Sequence, residues 1–351
     1  MPDGIAVGPT GRMRIEELAP TNRDAAIALA REAWDRPIDD TYLTWRYRSA
    51  PTQEAALALV GTACVATMFA LRRTYRTPDG DREVLEPFSW HAAPEWRARG
   101  AGLRVVRHWM AGSRPLVALG GTGIATRMFE RMRWSRLSTG GCFVLPLHAP
   151  FLRARGRGPG FGALFERVVR HYFTPRAGSG AVVTHLVDEP GPLASRIAAE
   201  QRRFGWMRLP DALTWRWLAS APAPLGSFIA FHLRVDGETV GWATARAHRS
   251  GGVHRAELQE CFLRDDACAH YPEAVRSVCV ELTGLGVDVI RCVTSCPDMV
   301  KALTGLRFRH DNEEPVFAWG PAGPATIARP LVDGGHADRA FFPVPTRAES
   351  S

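Results

Sequence analysis

The chain has 351 residues, of which 46% are hydrophobic, 9% aromatic and 23% charged; this is enough apolar material for about two domain cores and excludes a wholly disordered chain. Its formal charge is +8, and Lys301 is the single lysine in a basic set that is otherwise arginine. The charges form no long run of one sign, which argues against nucleic-acid binding, whereas arginines suit an anionic ligand such as a phosphate.

The cysteines and the first residues predict a reducing, cytoplasmic setting. The seven cysteines are odd in number and contain no C-x-x-C pair, so we expect reduced and mostly buried thiols. Their spacing to histidines is not that of a metal site, and we expect no bound metal. The opening "MPDGIAVGPTGRMRIEEL" lacks the basic-then-apolar order of a signal peptide, so no leader is expected.

In chain order, the sequence first predicts a strand, an amphipathic helix over 26–34 and an aromatic-rich helix or loop around 43–47. The uncharged stretch 55–71 is interrupted by Gly61 and Thr62 and predicts two buried strands joined by a turn, not a membrane span. A further strand over 84–92 leads into an amphipathic helix. A strand, a helix and a last strand then complete the unit.

The same order of elements then recurs. "LTWRY" at 43–47 reappears as "LTWRW" at 213–217, which aligns Trp45 with Trp215, and these two tryptophans are each expected to pack a helix on its own sheet. Further along, "EVLEPF" at 83–88 matches "ELQECF" at 257–262, with a small drift in register between the two matches. Collinear matches of this kind predict two copies of one α/β unit.

The repeat predicts four segments along the chain. The Gly/Pro-rich ends of the middle segment are typical of a linker, and its centre, "FGALFERVVRHYF", is typical of a connecting helix. The predicted organisation is a first domain over 1–150, a linker over 151–180, a second domain over 181–319 and a Pro/Gly-rich tail over 320–351.

The strand-to-helix turn of the first unit has the sequence of an anion site. Arg97 to Gly102 reads R-x-x-G-x-G at the start of the amphipathic helix. Glycine lets the backbone approach a ligand, and a helix N-terminus presents unpaired N–H groups, so such a turn can hold a pyrophosphate. Arg97 and Arg99 would add charge-assisted hydrogen bonds.

The second unit lacks this turn. In the register that aligns Glu83 with Glu257, Tyr271 takes the place of Arg97, Ala274 that of Gly100, and Arg276 that of Gly102. Bulky side chains in place of glycine predict that the second unit does not bind phosphate in this way.

These features resemble the GNAT superfamily of acyl-CoA-dependent N-acyltransferases. "APEWRARGAGLRVV" looks like the pyrophosphate loop of that family, and "ATRMFERMRW" resembles its late helix and following strand. "YLTWRYRSAP" resembles a run found in a bacterial double-GNAT subgroup. The resemblance implies an α/β fold of two tandem domains, each a mixed sheet splayed open at its centre and flanked by helices, with the acyl-CoA in the splay.

The resemblance also implies roles for individual residues. A general base is expected on the strand before the loop, with Glu86 first and Glu83 and His91 behind it; the counterpart Glu260 in the second unit leaves an architectural role for Glu86 open. Tyr47 or Tyr42 is the candidate proton donor. The implied acyl-CoA contacts are Phe88, Ser89, Trp90, Arg97, Ala98, Arg99, Gly100, Ala101 and Gly102.

Two positions depart from the family pattern. Phe129 replaces the tyrosine that often serves as general acid, and Arg133 replaces a glycine. The expected function is transfer of an acetyl or other acyl group from acyl-CoA to a small-molecule amine or amino sugar, without metal, nucleic acid or membrane insertion. The cofactor is expected in the N-terminal half, and the C-terminal half is expected to shape the acceptor site. Two alternatives remain open at this point: a Fem-type aminoacyl transferase and a non-catalytic acyl-CoA-binding protein.

Overall fold

The computed structural model describes residues 12–32, 38–119, 123–148, 175–176, 180, 182–320 and 331. The predicted connecting helix over 161–173 lies outside the described residues, as does almost all of the predicted tail.

The described chain is built from α-helices and long strands. The helices are α1 Arg23–Glu32, α2 Asp40–Tyr47, α3 Pro94–Arg97, α4 Ala101–Met110, α5 Gly123–Arg131, α6 Gly191–Glu200, α7 Ala212–Ala219, α8 Tyr271–Gly284 and α9 Pro297–Gly305. The strands are β1 Arg14–Glu17, β2 Gln53–Val60, β3 Ala63–Thr77, β4 Gly80–Ala92, β5 Leu116–Leu119, β6 Ser135–Pro146, β7 Val182–Val187, β8 Met207–Arg208, β9 Ser227–Val235, β10 Glu238–Ser250, β11 Val253–Leu263, β12 Val289–Thr294 and β13 Arg309–Trp319.

All of these strands join one mixed sheet, which confirms the predicted fold class. Its order is β1-β2-β3-β4-β5-β13-β6-β12-β11-β10-β9-β7, with the short β8 pairing separately to β3. The arrangement is the same from either edge of the sheet: β1 to β5 followed by β13 on one side match β7, β9 to β12 and β6 on the other. The two halves exchange their last strands: β13 lies beside β5 and β6 lies beside β12, both antiparallel. The halves therefore share one continuous hydrogen-bonded sheet.

The uncharged stretch 55–71 forms β2 and the first part of β3. The turn between them has Gly61 at φ 61°, a left-handed conformation that glycine adopts without strain. Both strands are buried on both faces over most of this stretch, which explains the near-continuous apolar sequence. No helix in the described part of the chain is long and apolar enough to cross a membrane.

The thiols agree with the sequence-based expectation. All seven cysteines are free, and five of them are buried. Burial raises the pKa of the Cys64 and Cys279 thiols to about 12, so both stay protonated and unreactive near neutral pH.

The two halves meet through a reciprocal tryptophan pair. The indole rings of Trp45 and Trp217 stack with centroids 4.7 Å apart. Trp45 Nε1 donates to the carbonyl of Trp217 at 3.1 Å, and Trp217 Nε1 donates to the carbonyl of Trp45 at 3.0 Å. Both side chains are buried. The exchange satisfies two buried carbonyls and fixes α2 against α7.

This pair corrects the register read from "LTWRY" and "LTWRW". The helices α2 and α7 begin after Asp39 and Asp211, and each aspartate caps its helix by accepting a hydrogen bond from the backbone N–H two residues on. Aligning the two caps makes Trp45 correspond to Trp217 and not to Trp215. The matching letters are thus shifted by two positions, and Trp45 packs between the halves as well as on its own sheet.

Replacing Trp217 by phenylalanine should destabilise the protein by roughly 1–3 kcal/mol, because the buried carbonyl of Trp45 loses this donor. Trp45→Phe should cost less, since the carbonyl of Trp217 also accepts from Ser220 Oγ at 2.7 Å. The double variant should be non-additive, since the rings are in contact. Urea unfolding of both single variants and the double variant measures the coupling.

Trp134→Phe is the matched control. Trp134 is similarly buried, but its indole N–H donates only to the sulfur of Met110, so its loss should cost less. Additive single effects at Trp45 and Trp217 would contradict a coupled joint.

Candidate functional site

The predicted strand-to-helix turn lies between β4 and α4. Strand β4 ends at Ala92, the short α3 follows, and α4 begins at Ala101. Gly100 is the N-cap of α4 with φ 72°, and no side chain caps the helix. The first backbone N–H groups of a helix have no partner within it, so the start of α4 presents donors to an anion.

The two glycines of the turn are needed for different reasons. Gly100 supplies the left-handed conformation, and a side chain there would meet no atom within 4 Å. Gly102 allows α4 to pack closely against Trp90, because a Cβ at this position would lie 3.0 Å from Trp90 Nε1. Trp90 Nε1 donates to the carbonyl of Gly102 at 3.1 Å and ties the start of α4 to β4. Gly102 therefore serves helix-to-strand packing.

Arginines surround this turn. Arg97, Arg99 and Arg104 are all exposed. Arg97 Nε donates to the carbonyl of Ala92 at 3.0 Å, and the Arg99 guanidinium lies over the ring of Trp96 at 4.6 Å. The turn thus combines helix N–H groups with positive side chains, the combination that suits a phosphate.

Strand β4 separates from β5 immediately before the turn. The parallel ladder between them consists of the single pair Leu85–Leu116. Beyond Leu85, β4 continues to Ala92 paired only with β3 among the described strands. The predicted splay is therefore present in the first half, and the edge of β4 that faces it ends at the Gly100 turn.

A bulge in β4 brings several predicted residues together. Ser89 has φ 48°, and the register with β3 shifts at this point. The hydroxyls of Tyr47 and Ser89 are 2.7 Å apart. Arg46 donates to Ser89 Oγ at 3.2 Å and to the hydroxyl of Tyr42 at 2.8 Å. Tyr47 is fully buried, stacked near Phe88. The structure thus joins the candidate proton donor to the strand that carries the implied thioester contacts.

His91 lies on the same strand after the bulge and is half-buried. Burial, and then the positive charge of Arg97, lower the pKa of His91 below its ordinary 6.5. The imidazole is therefore neutral at pH 7, the form that can accept a proton.

Glu86 is fully buried, away from the open edge. Tyr75 donates its hydroxyl to Glu86 Oε1 at 2.5 Å, and Arg73 Nε lies 3.9 Å from Glu86 Oε2. Arg73 in turn donates to Asp211 at 2.9 Å and to the hydroxyl of Thr214. These contacts join β3 and β4 to α7 of the other half. They favour an architectural role for Glu86 over the predicted catalytic one. Sequence reasoning missed Arg73, Tyr75 and Asp211.

The counterpart Glu260 is similarly engaged. Glu86 faces Leu71 and Glu260 faces Thr244 across their ladders, and the correspondence of the two glutamates stays a prediction. Glu260 accepts hydrogen bonds from Arg208, from Trp242 Nε1 at 3.2 Å and from Thr244 at 3.2 Å. Each half thus has a glutamate on this strand that pairs with an arginine and accepts a hydrogen bond from an aromatic side chain.

Phe129 leaves no hydroxyl at the family's usual acid position. The ring is buried and stacks near Trp90, with centroids 5.8 Å apart, and against Trp134 and Phe317. It serves as the apolar contact between α5, β4 and β13. Glu83 is exposed and pairs with Arg72 at 3.5 Å, so it lies outside this cluster.

In the second half, side chains of the protein itself cover the corresponding end of β11. The hydroxyl of Tyr271 accepts from the backbone N–H of Leu263 at 3.3 Å. Arg203 donates to the carbonyl of Leu263 at 2.8 Å and lies over the ring of Tyr271. These side chains occupy the end of β11 where the first half has an open edge.

Helix α8 of the second half is also longer at its N-terminus than α4, when the two are aligned by their buried residues. The buried residues of α4 and α8 correspond in one constant register: Ala101 with Ala274, Val105 with Val278, Val106 with Cys279 and Trp109 with Leu282. Because α8 begins at Tyr271, it carries nearly one further turn. The predicted pairings of Tyr271 with Arg97, of Ala274 with Gly100 and of Arg276 with Gly102 are therefore all off by one position, although the predicted crowding is present.

Comparison with known proteins gives structural neighbours only, since no protein-family profile and no curated protein matches the chain. A GCN5-related N-acetyltransferase from Anabaena variabilis ATCC 29413 superposes with a TM-score of 0.60 at 9% identity, covering 88% of this chain and 72% of that chain. An N-myristoyltransferase from Saccharomyces cerevisiae with bound myristoyl-CoA gives 0.60 at 10% identity, covering 90% and 85%. A probable N-acyltransferase from Enterococcus faecalis V583 gives 0.61 at 8% identity, covering 88% and 72%.

The chain has the GNAT acyltransferase fold. The predicted resemblance to this superfamily is confirmed at the level of fold, because the identities are far too low to carry more. Assignment to the double-GNAT subgroup and the predicted domain limits stay predictions. In this GNAT fold the Ser89 bulge, the unpaired edge of β4 and the Gly100 turn follow one another along the first half of the chain.

The lowered pKa of His91 has a measurable consequence. In the unfolded chain His91 takes up a proton near its ordinary pKa of 6.5, whereas in the native protein the lowered pKa delays protonation to a lower pH. Because the unfolded state then binds more protons, acidification below pH 6.5 should lower the free energy of unfolding. His91→Asn should remove this part of the pH dependence. Urea unfolding at pH 7.5 and pH 5 measures it, and an unchanged difference between variant and wild type at the two pH values would contradict the lowered pKa.

Proposed function

We propose that the protein is an acyl-CoA-dependent N-acyltransferase whose cofactor binds the first half. The observation that carries the proposal is the junction itself: β4 leaves β5 after Leu85 and leads to an α4 N-terminus that starts at Gly100 and is surrounded by arginines. An acyl-CoA supplies a chain with amide groups for an open strand edge and a pyrophosphate for a helix N-terminus.

The chain's own residues then have distinct parts in binding. The α4 N–H groups, Arg97 and Arg99 hold the pyrophosphate. The backbone from Phe88 to Trp90 faces the thioester, and an N–H group at the bulge polarises its carbonyl oxygen. The titles of the structural neighbours, an N-acetyltransferase and a myristoyl-CoA-bound N-myristoyltransferase, support an acyl thioester as the donor. We propose acetyl transfer to a small-molecule amine.

The reaction forms an amide bond and breaks a thioester bond. The acceptor must first lose a proton, because an alkyl amine with a pKa near 10.4 is mostly protonated at pH 7. Neutral, half-buried His91 is the proposed base, ahead of the buried Glu86. The departing thiolate takes a proton from Tyr47, which Ser89 holds at 2.7 Å and Arg46 flanks. Tyr47 thus replaces the acid missing at Phe129.

A thermal-shift titration with acetyl-CoA and myristoyl-CoA tests the cofactor assignment. A ligand present at about one hundred times its dissociation constant should stabilise the native protein by roughly 2.7 kcal/mol. Gly100→Glu should abolish the shift, because it places a carboxylate at the phosphate position.

Gly251→Glu is the matched control. Gly251 is also left-handed, with φ 60°, but it lies in the hairpin turn between β10 and β11. It therefore carries the same backbone strain and added charge and should keep the shift. Release of free thiol with a panel of amines then separates an enzyme from an acyl-CoA-binding protein without activity. No shift with either acyl-CoA would contradict the proposed function.

A further inference from the structure

The net charge of the chain is concentrated in one segment of the first half. Residues 94–136 contain nine arginines and two acidic residues, Glu95 and Glu130, so this segment carries seven of the eight net positive charges. The rest of the chain is nearly neutral. The arginine surplus is therefore a local feature of the first half and is not spread over the whole surface.

The fold gathers these arginines on the outside of two helices. Helices α4 and α5 join one apolar cluster, α4 through Val105 and Val106 and α5 through Phe129. The indole N–H of Trp134 donates to the sulfur of Met110 at 3.4 Å and ties the turn after α5 to the end of α4. The exposed arginines of α4, α5 and this turn form what we call the basic face: Arg104, Arg107, Arg127, Arg131 and Arg133.

The basic face has no counter-charges of its own. None of its five arginines forms an ion pair within the part of the chain that the structure describes. Other exposed arginines of the first half do form such pairs, as Arg48 does with Asp24 and Arg82 with Asp79. Like charges gathered without counter-charges repel one another, and an acidic partner would relieve that repulsion.

An apolar side chain lies among these arginines. Ile124 is 68% exposed and begins a stripe of α5 that continues through Arg127 and Arg131, because residues three and four apart lie on one side of a helix. An exposed apolar side chain flanked by arginines has the composition of a protein interface, in which arginine is enriched. The basic face thus favours an acidic protein as its partner.

The basic face adjoins the entrance to the proposed acyl-CoA site. Helix α4 extends about 15 Å from the Gly100 turn, and α5 follows β5, the strand from which β4 separates. Arg97 and Arg99 lie at the turn itself, where the proposed pyrophosphate binds. The basic face lies beyond them on two helices, so it offers contacts to a partner that is larger than a nucleotide.

We propose that the basic face docks an acidic carrier protein that delivers the acyl group on a phosphopantetheine arm. The phosphate of the arm would bind at the Gly100 turn, and the arm would follow the open edge of β4 to the Ser89 bulge. The inference rests on the proposed function, because it names the carrier of the acyl thioester. A membrane surface or a nucleic acid would match the charge but would not use the open edge of β4.

Binding of a carrier protein tests this without relying on acyl transfer. The probes are an acidic acyl carrier protein loaded with an acetyl thioester and acetyl-CoA, each titrated calorimetrically into the full chain. We expect the loaded carrier to bind, with an affinity that falls steeply as salt is raised from about 50 mM, because exposed charges are screened. Acetyl-CoA should compete with the carrier, since both arms use the same edge of β4.

Charge reversal separates the basic face from the acyl-CoA site. The double variant Arg107→Glu with Arg131→Glu should weaken binding of the loaded carrier by roughly 10-fold or more, and should change the affinity for acetyl-CoA by less than about 3-fold. Arg234→Glu with Arg249→Glu is the matched control. Both of its arginines are exposed in the second half and form no ion pair among the described residues. It makes the same change in net charge and should leave both affinities unchanged.

Vesicles that contain anionic lipid and a double-stranded DNA are titrated in parallel. Binding of either one that the Arg107 and Arg131 variant abolishes, with no binding of the carrier, would overturn the carrier assignment. Equal weakening by the control variant would also overturn it.

The wild-type titrations distinguish this inference from the proposed function, and they do not depend on the folding of a variant. Binding of acetyl-CoA without binding of the carrier overturns the docking proposal alone. Binding of the carrier without binding of acetyl-CoA supports docking and contradicts acyl-CoA as the donor. Binding of neither overturns both.

Discussion

Strand β4 has to leave β5 after Leu85, and the properties of the site depend on that separation. If β4 and β5 stayed paired, the backbone N–H and C=O groups on that edge of residues 86–92 would be hydrogen-bonded to β5 and could not bind a ligand. Because they diverge, an edge of β4 stays open between the bulge at Ser89 and the turn at Gly100. The bulge places Tyr47 and Arg46 at one end of this edge, and the α4 N–H groups lie at the other. The proposed acyl-CoA would contact both ends, with its thioester at the bulge and its pyrophosphate at the α4 N–H groups.

The second half shows what happens when the same edge is not kept open. Its strands β11 and β12 also diverge, after the pair Leu258–Cys292. There Tyr271 hydrogen-bonds to the end of β11, Arg203 covers it, and α8 starts nearly one turn early. The second half, whose edge is covered, still contributes to the first half through β13, through Trp217 and through the Asp211 contact with Arg73. The exchange of terminal strands makes the two halves parts of one sheet.

The sequence predicted the elements well where local patterns decide them. Gly100 in a strand-to-helix turn, the hairpin at Gly61 and the crowding at Tyr271 were all readable, because each follows from backbone conformation or side-chain size near one position. Contacts between distant segments were not readable. The four identical letters around Trp45 gave a register two positions away from the one that the caps and the reciprocal hydrogen bonds define. Arg73 was missed because its partner Asp211 is far away in the chain.

Hydrogen exchange measured amide by amide, with and without acetyl-CoA, tests most directly whether the first half holds the pyrophosphate. Acetyl-CoA should slow exchange at the first amides of α4, from Ala101 to Leu103, and along β4 around Ser89, while exchange at the start of α8 at Tyr271 should be unchanged. Protection at the start of α8 without protection at the start of α4 would contradict the assignment of the cofactor to the first half.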